Sequence, residues 1–266
     1  MLLGTRIAVV IPAFNEAQWI ADTVATVPGF VDQIIVVDDR SDDATADVAL
    51  RAGDSRLEVL RHTHNRGVGA AIETGYGAAR QRGAEIVAVM AGDGQMHPGD
   101  LEALVLPLAA GEADYVKGDR LHHPDVWRTM PLHRLGAGFA LSWLTRRAAG
   151  LDSLSDSQCG YTAISARAID ALAKRGVWPG YGYPNDVLGA LAAQGFRIRD
   201  VVVRPVYRGE SSGLRPWHLM TIGYLIARTA WRARLAAGAL PAAVSSASWK
   251  ENRSSPAGDR AFPTSR

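Results

Sequence analysis

The sequence predicts an α/β domain with a mostly parallel sheet and helices on both of its faces. Three observations favour this class. Short apolar runs alternate with helical patterns along residues 1–110, as in parallel strands joined by right-handed crossover helices. The runs are apolar at successive positions, which is typical of strands buried on both faces. The chain has 266 residues, of which 47% are apolar, and this is enough for one large core.

The elements follow one another regularly in the first half of the chain. Strands are expected at residues 6–11, 33–37, 57–61 and 85–90, and helices at residues 17–27, 44–52, 67–82 and 98–110. Ser41, Asp42 and Asp43 are expected to cap the second helix. The second half is less regular, with strands at residues 114–117 and 197–206 and helices at residues 132–149, 166–175 and 186–194.

The chain is expected to contain one domain and two C-terminal appendages. Residues 1–216 form the predicted α/β domain, residues 217–240 an amphipathic helix, and residues 241–266 a disordered tail. The opening MLLGTRIAVVIP is predicted to lead into the first strand, because it lacks the long apolar region and cleavage site of a signal peptide. No run of about 18 uncharged apolar residues is present, so no spanning helix is expected. The single cysteine, Cys159, excludes an intrachain disulfide and fits a reducing compartment.

Charge is distributed unevenly along the chain. Residues 1–100 contain 14 Asp+Glu and 8 Lys+Arg, whereas residues 101–266 contain 13 and 21, and the net charge is only +2. An acidic half next to a basic half indicates a cation site beside an anion site. No nucleic-acid partner is expected.

Polar residues follow four of the predicted strands. They are Asn15 and Glu16, Asp38 and Asp39, Asn65 and Arg66, and Asp93 and Gln95. In an open parallel sheet, ligands bind beyond the carboxyl ends of the strands. The sequence therefore predicts one ligand-binding rim.

Two motifs on this rim each have two interpretations. In VVDDRSDDAT, Asp38 and Asp39 precede the predicted helix caps, and a carboxylate at a strand end can accept a nucleobase N–H or hold ribose hydroxyls. Helix capping is the alternative. In NRGVGAA, Asn65 and Gly67 open a helix as a phosphate-cradling turn would. The glycines could instead serve close packing.

The motif AGDGQMHP offers oxygen ligands for a hard cation. Asp93 and Gln95 suit Mg²⁺ or Mn²⁺, and Mg²⁺ commonly takes only one or two protein ligands together with water and substrate phosphates. The flanking glycines would let a bulky ligand approach the backbone. His97 is expected to be a helix cap or a substrate contact. The alternative for the whole motif is an Asx turn without a ligand.

Five ordered segments together resemble family 2 glycosyltransferases: VVIPAFNE, IIVVDDRSDDAT, NRGVGAA, VMAGDGQMHP and SDSQCGYTAISARAID. More narrowly, they are similar to the dolichyl-phosphate mannose synthase and polyprenyl-phosphate glycosyltransferase branch. The resemblance spans approximately residues 5–225. It implies a GT-A fold, a nucleoside-diphosphate sugar donor such as GDP-mannose or UDP-glucose, a divalent metal, and inversion at the anomeric carbon.

The resemblance also implies roles for individual residues. Pro12, Phe14 and Glu16 match the first donor-binding loop, with Phe14 where a Tyr is usual. Asp39 matches the carboxylate that contacts the nucleobase, with Asp38 beside it. The motif D-A-D-x-Q of the branch stands here as residues 91–95, so Ala91 replaces the first Asp while the metal-binding Asp93 and Gln95 are kept.

Further matches concern the acceptor and a later loop. Arg120 and Arg134 match arginines that hold the acceptor phosphate, and Asp156 matches the acidic residue that opens its loop. The segment YRGESSG matches a basic loop that closes over the donor. Ser212 stands there in place of a frequent Lys, so Arg208 is assigned to the donor, with Arg204 and Arg215 as alternatives.

The nature of the acceptor decides whether a general base is needed. A lipid phosphate is already anionic, so arginines suffice to orient it. A sugar hydroxyl needs a carboxylate base, for which Asp156 and Asp186 are candidates. Residues 132–149 and the segment after Trp217 mix aromatic residues with arginines, as helices that lie on anionic lipid do. Core helices with solvated arginines are the alternative.

The leading hypothesis is an inverting polyprenyl-phosphate hexosyltransferase, located in the cytoplasm on the inner face of the membrane as a peripheral protein. Two other hypotheses stay open. One is a glycosyltransferase with a soluble or glycan hydroxyl acceptor. The other is a donor-binding protein without catalysis, motivated by Ala91 and Ser212. A nucleotidyltransferase is disfavoured, because no glycine- and arginine-rich loop follows the first strand near Pro12.

Overall fold

A computed structural model of the chain describes residues 1–206 and 216–238. Within this part, seven strands form one sheet in the order β3-β2-β1-β4-β6-β5-β7. The strands are β1 (Ile7–Ala13), β2 (Gln33–Asp38), β3 (Leu57–Arg61), β4 (Ile86–Val89), β5 (Tyr115–Asp119), β6 (Thr162–Ser165) and β7 (Ile198–Val202). Strands β1, β2, β3 and β4 pair with one another in parallel, whereas β6 is antiparallel to both β4 and β5. The predicted mostly parallel α/β sheet is confirmed.

The helices of the described residues alternate with these strands. They are α1 (Ile20–Ala25), α2 (Thr45–Arg51), α3 (Val68–Gln81), α4 (Leu101–Ala109), α5 (Val126–Thr129), α6 (Leu132–Ala149), α7 (Ala166–Ala173), α8 (Tyr183–Ala192) and α9 (Pro216–Gly238), with a 3-10 turn at Pro98–Asp100 before α4. Helix α6 has the predicted bounds, and it is followed by Gly150, whose φ of 65° provides a left-handed cap. None of the described helices combines the length and apolar content that crossing a bilayer requires.

The core lies on both faces of the sheet. In β1, the alternating residues Ile7, Val9 and Ile11 pack on one face with α1, α2 and α4. Ala8 and Val10 pack on the other face with α3, α7 and α8. The strands are therefore apolar at successive positions because both faces are covered, as predicted.

Two short elements were not predicted. Strand β6 has four residues and α5 has four, which is too short for a hydrophobic period to identify. Arg208, Ser212 and Arg215, and the tail predicted at residues 241–266, lie outside the described residues.

Candidate active site

A cavity of about 620 Å³ lies at the carboxyl ends of β1, β2 and β4. Seven residues that the sequence assigned to the donor or the metal line it: Pro12, Phe14, Glu16, Asp39, Asn65, Gly67 and Asp93. Five other residues that the sequence assigned to the site are not among the described residues that line this cavity: Asp38, Gln95, Arg120, Arg134 and Asp156. The sequence thus located the cavity and most of its polar wall, and it assigned additional residues that lie elsewhere.

The loop after β1 is held in place by side chains that follow β2. Asn15 has a φ of 59°, and its backbone N–H donates to Ser41 Oγ at 2.9 Å. The backbone N–H groups of Glu16 and Ala17 donate to Thr45 Oγ1 at 2.8 Å and to Asp43 Oδ2 at 3.1 Å. These side chains support the loop that carries Phe14 and Glu16 into the cavity. For the same reason α1 begins at Ile20, three residues later than predicted.

The residues expected to cap α2 therefore have a different use. Ala44 stands at the N-cap position of α2 and makes no side-chain cap. Of the three predicted caps, Asp43 accepts from the backbone N–H of Thr45 at 2.9 Å, in the first turn of the helix. Ser41 supports the β1 loop instead, and Asp42 is exposed.

Asp39 is nearly buried at the cavity wall and accepts three hydrogen bonds. Its Oδ1 accepts from His62 Nδ1 at 2.7 Å and from the backbone N–H of Arg66 at 2.8 Å. Its Oδ2 accepts from the backbone N–H of Gly67 at 2.6 Å. His62 is buried as well, and its Nε2 lies 3.0 Å from Thr74 Oγ1 on α3. The carboxylate is thus fixed between β2, the loop after β3, and α3.

Asp38 does not reach the cavity, contrary to the expectation that it binds the donor. Its exposed fraction is 0%, its Oδ1 accepts from the backbone N–H of Ser41 at 2.9 Å, and its Oδ2 lies 2.9 Å from Arg61 Nε. A side chain without exposed atoms cannot contact a ligand directly. Its carboxylate shapes the turn after β2.

The glycines of NRGVGAA pack closely against the loop before α8, which supports the packing alternative. A Cβ on Gly67 would lie 2.6 Å from the carbonyl oxygen of Pro179, and a Cβ on Gly69 would lie 2.0 Å from that of Trp178. The backbone N–H groups of Gly69 and Ala70 both donate to the Pro179 carbonyl, at 2.7 and 3.2 Å. These donors at the start of α3 are therefore engaged by protein, which argues against a phosphate-cradling turn at this point.

The turn after β4 places Asp93 at the cavity, and Gln95 belongs to the same turn. The backbone N–H of Gln95 donates to Asp93 Oδ1 at 2.9 Å, so the Asx turn of the alternative interpretation is present. An ionised carboxylate has about four acceptor positions, so this turn is compatible with a metal ligand. A Cβ on Gly92 would lie 3.4 Å from Glu16 Cγ, so Glu16 flanks the same turn. Ala91 lines the cavity at the position of the missing carboxylate.

His97 is a helix cap, one of its two expected roles. Its Nδ1 accepts from the backbone N–H of Gly99 at 3.1 Å. Arg204 Nη1 lies 2.9 Å from His97 Nε2, and Arg204 Nε lies 3.2 Å from Asp100 Oδ1. Arg204 is therefore tied to the base of this turn.

Arg120 and Asp156 form an ion pair near the end of β5, in which the carboxylate is buried and the guanidinium is partly exposed. Arg120 Nε lies 2.8 Å and Nη2 lies 3.2 Å from the two Asp156 oxygens, and Asp156 is 1% exposed. Burial by itself raises the pKa of Asp156, but the charge and hydrogen bonds of Arg120 outweigh it and lower the pKa below its ordinary value. Asp186, the other candidate base, is buried and paired with Arg175 and Arg228. Both carboxylates are held by arginines and are poorly placed to accept a proton.

Arg134 lies in the first turn of α6. Its neighbour Leu135 shares a small buried cluster with Leu121, the neighbour of Arg120. The remaining members of this cluster are Val126 and Met130. The segments that carry the two arginines therefore pack against each other.

The loop at residues 155–161 is anchored by groups that the sequence did not single out. Lys117 on β5 is fully buried, and its Nζ donates to the carbonyl oxygen of Cys159. Burial lowers the pKa of this lysine. Asp200 Oδ2 accepts from the backbone N–H of Ser155 at 2.7 Å, and Ser142 Oγ accepts from that of Ser157 at 2.9 Å.

Two aromatic residues that line the cavity were also missed. Tyr181 and His218 stack with ring centroids 4.1 Å apart, and both line the cavity. His218 belongs to α9, which Arg228 ties to Asp186 on α8. Tyr181 lies in an irregular loop and His218 in a helix that follows undescribed residues, so no local pattern connects them.

Comparison with known proteins finds similarity to glycosyltransferases. The family model of glycosyl transferase family 2 matches residues 8–172. The undecaprenyl-phosphate mannosyltransferase of Micrococcus luteus is 33% identical over 215 residues, which cover 77% of this chain and 86% of that protein. The UDP-N-acetylglucosamine–dolichyl-phosphate N-acetylglucosaminyltransferase of Methanococcus voltae is 28% identical over 235 residues, or 83% of this chain and 92% of that protein.

A solved structure has the same fold. The UDP complex of glucosyl-3-phosphoglycerate synthase from Mycobacterium tuberculosis aligns with a TM-score of 0.63 and 24% identity, over 87% of this chain and 81% of that one. The expected GT-A fold and the resemblance to the polyprenyl-phosphate branch are thereby confirmed. The chain belongs to glycosyl transferase family 2 and is a glycosyltransferase.

Proposed function

We propose that the chain transfers a hexose, with inversion, from a nucleoside-diphosphate sugar to a polyprenyl phosphate at the cytoplasmic face of a membrane. The observation that carries this proposal is the Arg120–Asp156 pair. The carboxylate expected to serve a hydroxyl acceptor is buried and neutralised by an arginine. An acceptor that is already anionic needs no base, and arginines can orient it. Relatives named as dolichyl-phosphate and undecaprenyl-phosphate sugar transferases favour the same acceptor class.

The residues of the cavity fit a donor with a diphosphate. Asp39 and Asn65 lie at one part of the wall, and Asp93 lies at another with Glu16 beside its turn. We assign the nucleoside to Asp39 and the diphosphate to the Asp93 side. Pro12 and Phe14 complete the apolar wall between them.

We assign a divalent metal, Mg²⁺ or Mn²⁺, to Asp93, which lines the cavity, and to Gln95, two residues along the same turn. Both supply hard oxygen atoms, and the described residues contain no group of three His, Cys, Asp or Glu side chains that could hold a metal without substrate. Donor phosphates would therefore complete the coordination. When bound, such a metal would neutralise the negative charge that develops on the leaving diphosphate. A solved structure of the M. tuberculosis synthase contains Mn²⁺ together with UDP and phosphoglyceric acid.

Peripheral membrane contact is supported by the surface of α6 and α9, which pack against each other. Large apolar side chains remain exposed on both helices: Leu132, Phe139, Trp143 and Leu144 on α6, and Leu219, Met220, Tyr224, Trp231 and Leu235 on α9. Arg146 and Arg147 lie in the last turn of α6. Aromatic residues beside arginines are suited to the interface of an anionic bilayer.

The proposal is tested by a transfer assay with Mn²⁺, UDP-glucose or GDP-mannose, and a polyprenyl phosphate. We expect a lipid-linked sugar, and we expect its formation to be lost in Asp93→Ala. The matched control is Asp170→Ala, because Asp170 is an exposed carboxylate on α7 that pairs with Arg80. Transfer only to soluble hydroxyl acceptors would contradict the proposal. Tight donor binding without turnover on any acceptor would identify a donor-binding protein instead.

A further inference from the structure

The hydrogen bonds of Asp39 restrict which nucleobase the cavity can bind. An ionised carboxylate offers two acceptor positions on each oxygen. Oδ1 already accepts from His62 and from the backbone of Arg66, and Oδ2 accepts from the backbone of Gly67. Among the described residues, these three donors leave a single acceptor position, on Oδ2. Since Asp39 lines the cavity, this position is the one a ligand can use.

His62 is the donor that occupies the last position on Oδ1. A carboxylate can only accept, so the ring proton of His62 lies on Nδ1, and Nε2 is left to Thr74 Oγ1 at 3.0 Å. His62 is 8% exposed, so water does not readily replace this contact. The pairing of His62 with Asp39 is therefore a built feature of the cavity wall.

Uracil and guanine place different demands on a carboxylate. Uracil presents one ring N–H, flanked on both sides by carbonyl oxygens, and needs one acceptor. Guanine presents a ring N–H and an exocyclic amino group side by side, and a carboxylate satisfies this pair by using both of its oxygens. With Oδ1 already saturated, one of the two guanine donors would be left without a partner, which costs binding energy in a buried site. Asn65, the other polar residue nearby, has both a donor and an acceptor and does not discriminate between the bases.

We infer that the donor is a uridine-diphosphate sugar, and that His62 is a positioning residue that sets this specificity by saturating one oxygen of Asp39. The inference rests on the proposed function, since it takes the cavity to be the donor site. It narrows the donor from a nucleoside-diphosphate sugar of unassigned base to one with a single ring N–H.

The test is calorimetric titration of the full chain with UDP and with GDP, each in the presence of Mn²⁺. We expect UDP to bind about tenfold or more tightly than GDP, the effect of one unsatisfied donor. We also expect 3-methyluridine diphosphate, which lacks the ring N–H, to bind about tenfold or more weakly than UDP. GDP binding as tightly as UDP, or the methylated analogue binding as well as UDP, would overturn the inference.

His62→Leu examines the role of the histidine. Removing the donor returns an acceptor position to Oδ1, so the ratio of GDP to UDP dissociation constants should fall towards one. The matched control is His64→Leu, because His64 is an exposed histidine two residues along the same loop. An unchanged ratio in a folded His62→Leu protein would overturn the assignment. Should that variant not fold, the comparison of UDP with GDP and with the methylated analogue still tests the base assignment in the unaltered chain.

Failure of this inference can be distinguished from failure of the proposed function. GDP preference together with sugar transfer from GDP-mannose to polyprenyl phosphate would overturn the base assignment and leave the proposed function intact. UDP preference without transfer to polyprenyl phosphate would uphold the base assignment and contradict the acceptor. Binding of neither nucleotide would contradict both.

Discussion

Replacing Gly69 with alanine tests how the cavity wall is held together. A Cβ at this position would lie 2.0 Å from the carbonyl oxygen of Trp178, whereas ordinary contacts begin at 3.4 Å. The atoms would have to separate by about 1.4 Å. The Cβ would meet the backbone carbonyl groups of Trp178 and Pro179, so no side chain can rotate away to make room. Helix α3 must therefore move away from the loop at residues 178–181.

The cost follows from what this movement breaks. The two hydrogen bonds to the Pro179 carbonyl contribute about 1 kcal/mol each, and the backbone displacement adds about 1–2 kcal/mol. The better helix propensity of alanine offsets up to about 1 kcal/mol. We expect a net loss of about 2–4 kcal/mol in the free energy of unfolding. Urea denaturation followed by circular dichroism measures it. Nucleotide binding should weaken too, because Gly180 and Tyr181 line the cavity.

Gly77→Ala on the same helix is the control. A Cβ at Gly77 meets nothing within 4 Å, so this substitution should stabilise the protein by up to about 1 kcal/mol through helix propensity alone. If Gly69→Ala unfolds at the same urea concentration as Gly77→Ala, the packing of α3 against residues 178–181 is not as described, and the reasoning is wrong.

Three further predictions concern the acceptor, pH and the membrane. Arg134→Ala should raise the KM for polyprenyl phosphate far more than that for the donor, with Arg51→Ala on α2 as the control; equal effects on both substrates would contradict the assignment. Burial raises the pKa of Asp114, but hydrogen bonds from Arg197 and Arg167 prevail and lower it to about 2. The carboxylate therefore stabilises the fold above its ordinary pKa of 3.8, and this contribution is lost as the pH falls towards 2. Asp114→Asn should lower the free energy of unfolding by about 2 kcal/mol at pH 7, and the gap to the unaltered chain should close in urea titrations between pH 4 and pH 2; a gap that does not depend on pH would refute this. Trp231→Ser should reduce cosedimentation with anionic phospholipid vesicles, whereas Leu50→Ser on α2, also exposed, should not.

Local patterns predicted the framework of the fold well. Strand β3 and helix α6 have the predicted bounds, because an apolar run and a long helical period are properties of contiguous sequence. Strand β6 lacks such a signal, since its four residues are defined by pairing with β4 and β5. The late start of α1 likewise depends on Ser41, Asp43 and Thr45, which lie more than 20 residues away.

The same distinction applies to the candidate site. The strand ends identified the polar wall, because parallel topology brings them to one edge. The sequence could not decide between a phosphate cradle and close packing for Gly67 and Gly69, since the deciding contact is with Pro179, about 110 residues further along the chain. Asp38 and Asp39 are adjacent and chemically identical, and only the direction of the backbone after β2 separates a buried structural carboxylate from one at the cavity.

The anchoring of the 155–161 loop by Lys117 has a consequence for how this protein can vary. The lysine contacts the main-chain carbonyl of Cys159, and every amino acid provides such a carbonyl. This contact therefore does not constrain which side chain follows the anchor point, and residues of the loop can be exchanged while its attachment to β5 is kept. Lys117 itself cannot be exchanged in the same way, because no other amino acid has an unbranched side chain of this length that ends in an ammonium group. Substitutions in the loop therefore change its surface without removing its attachment to β5.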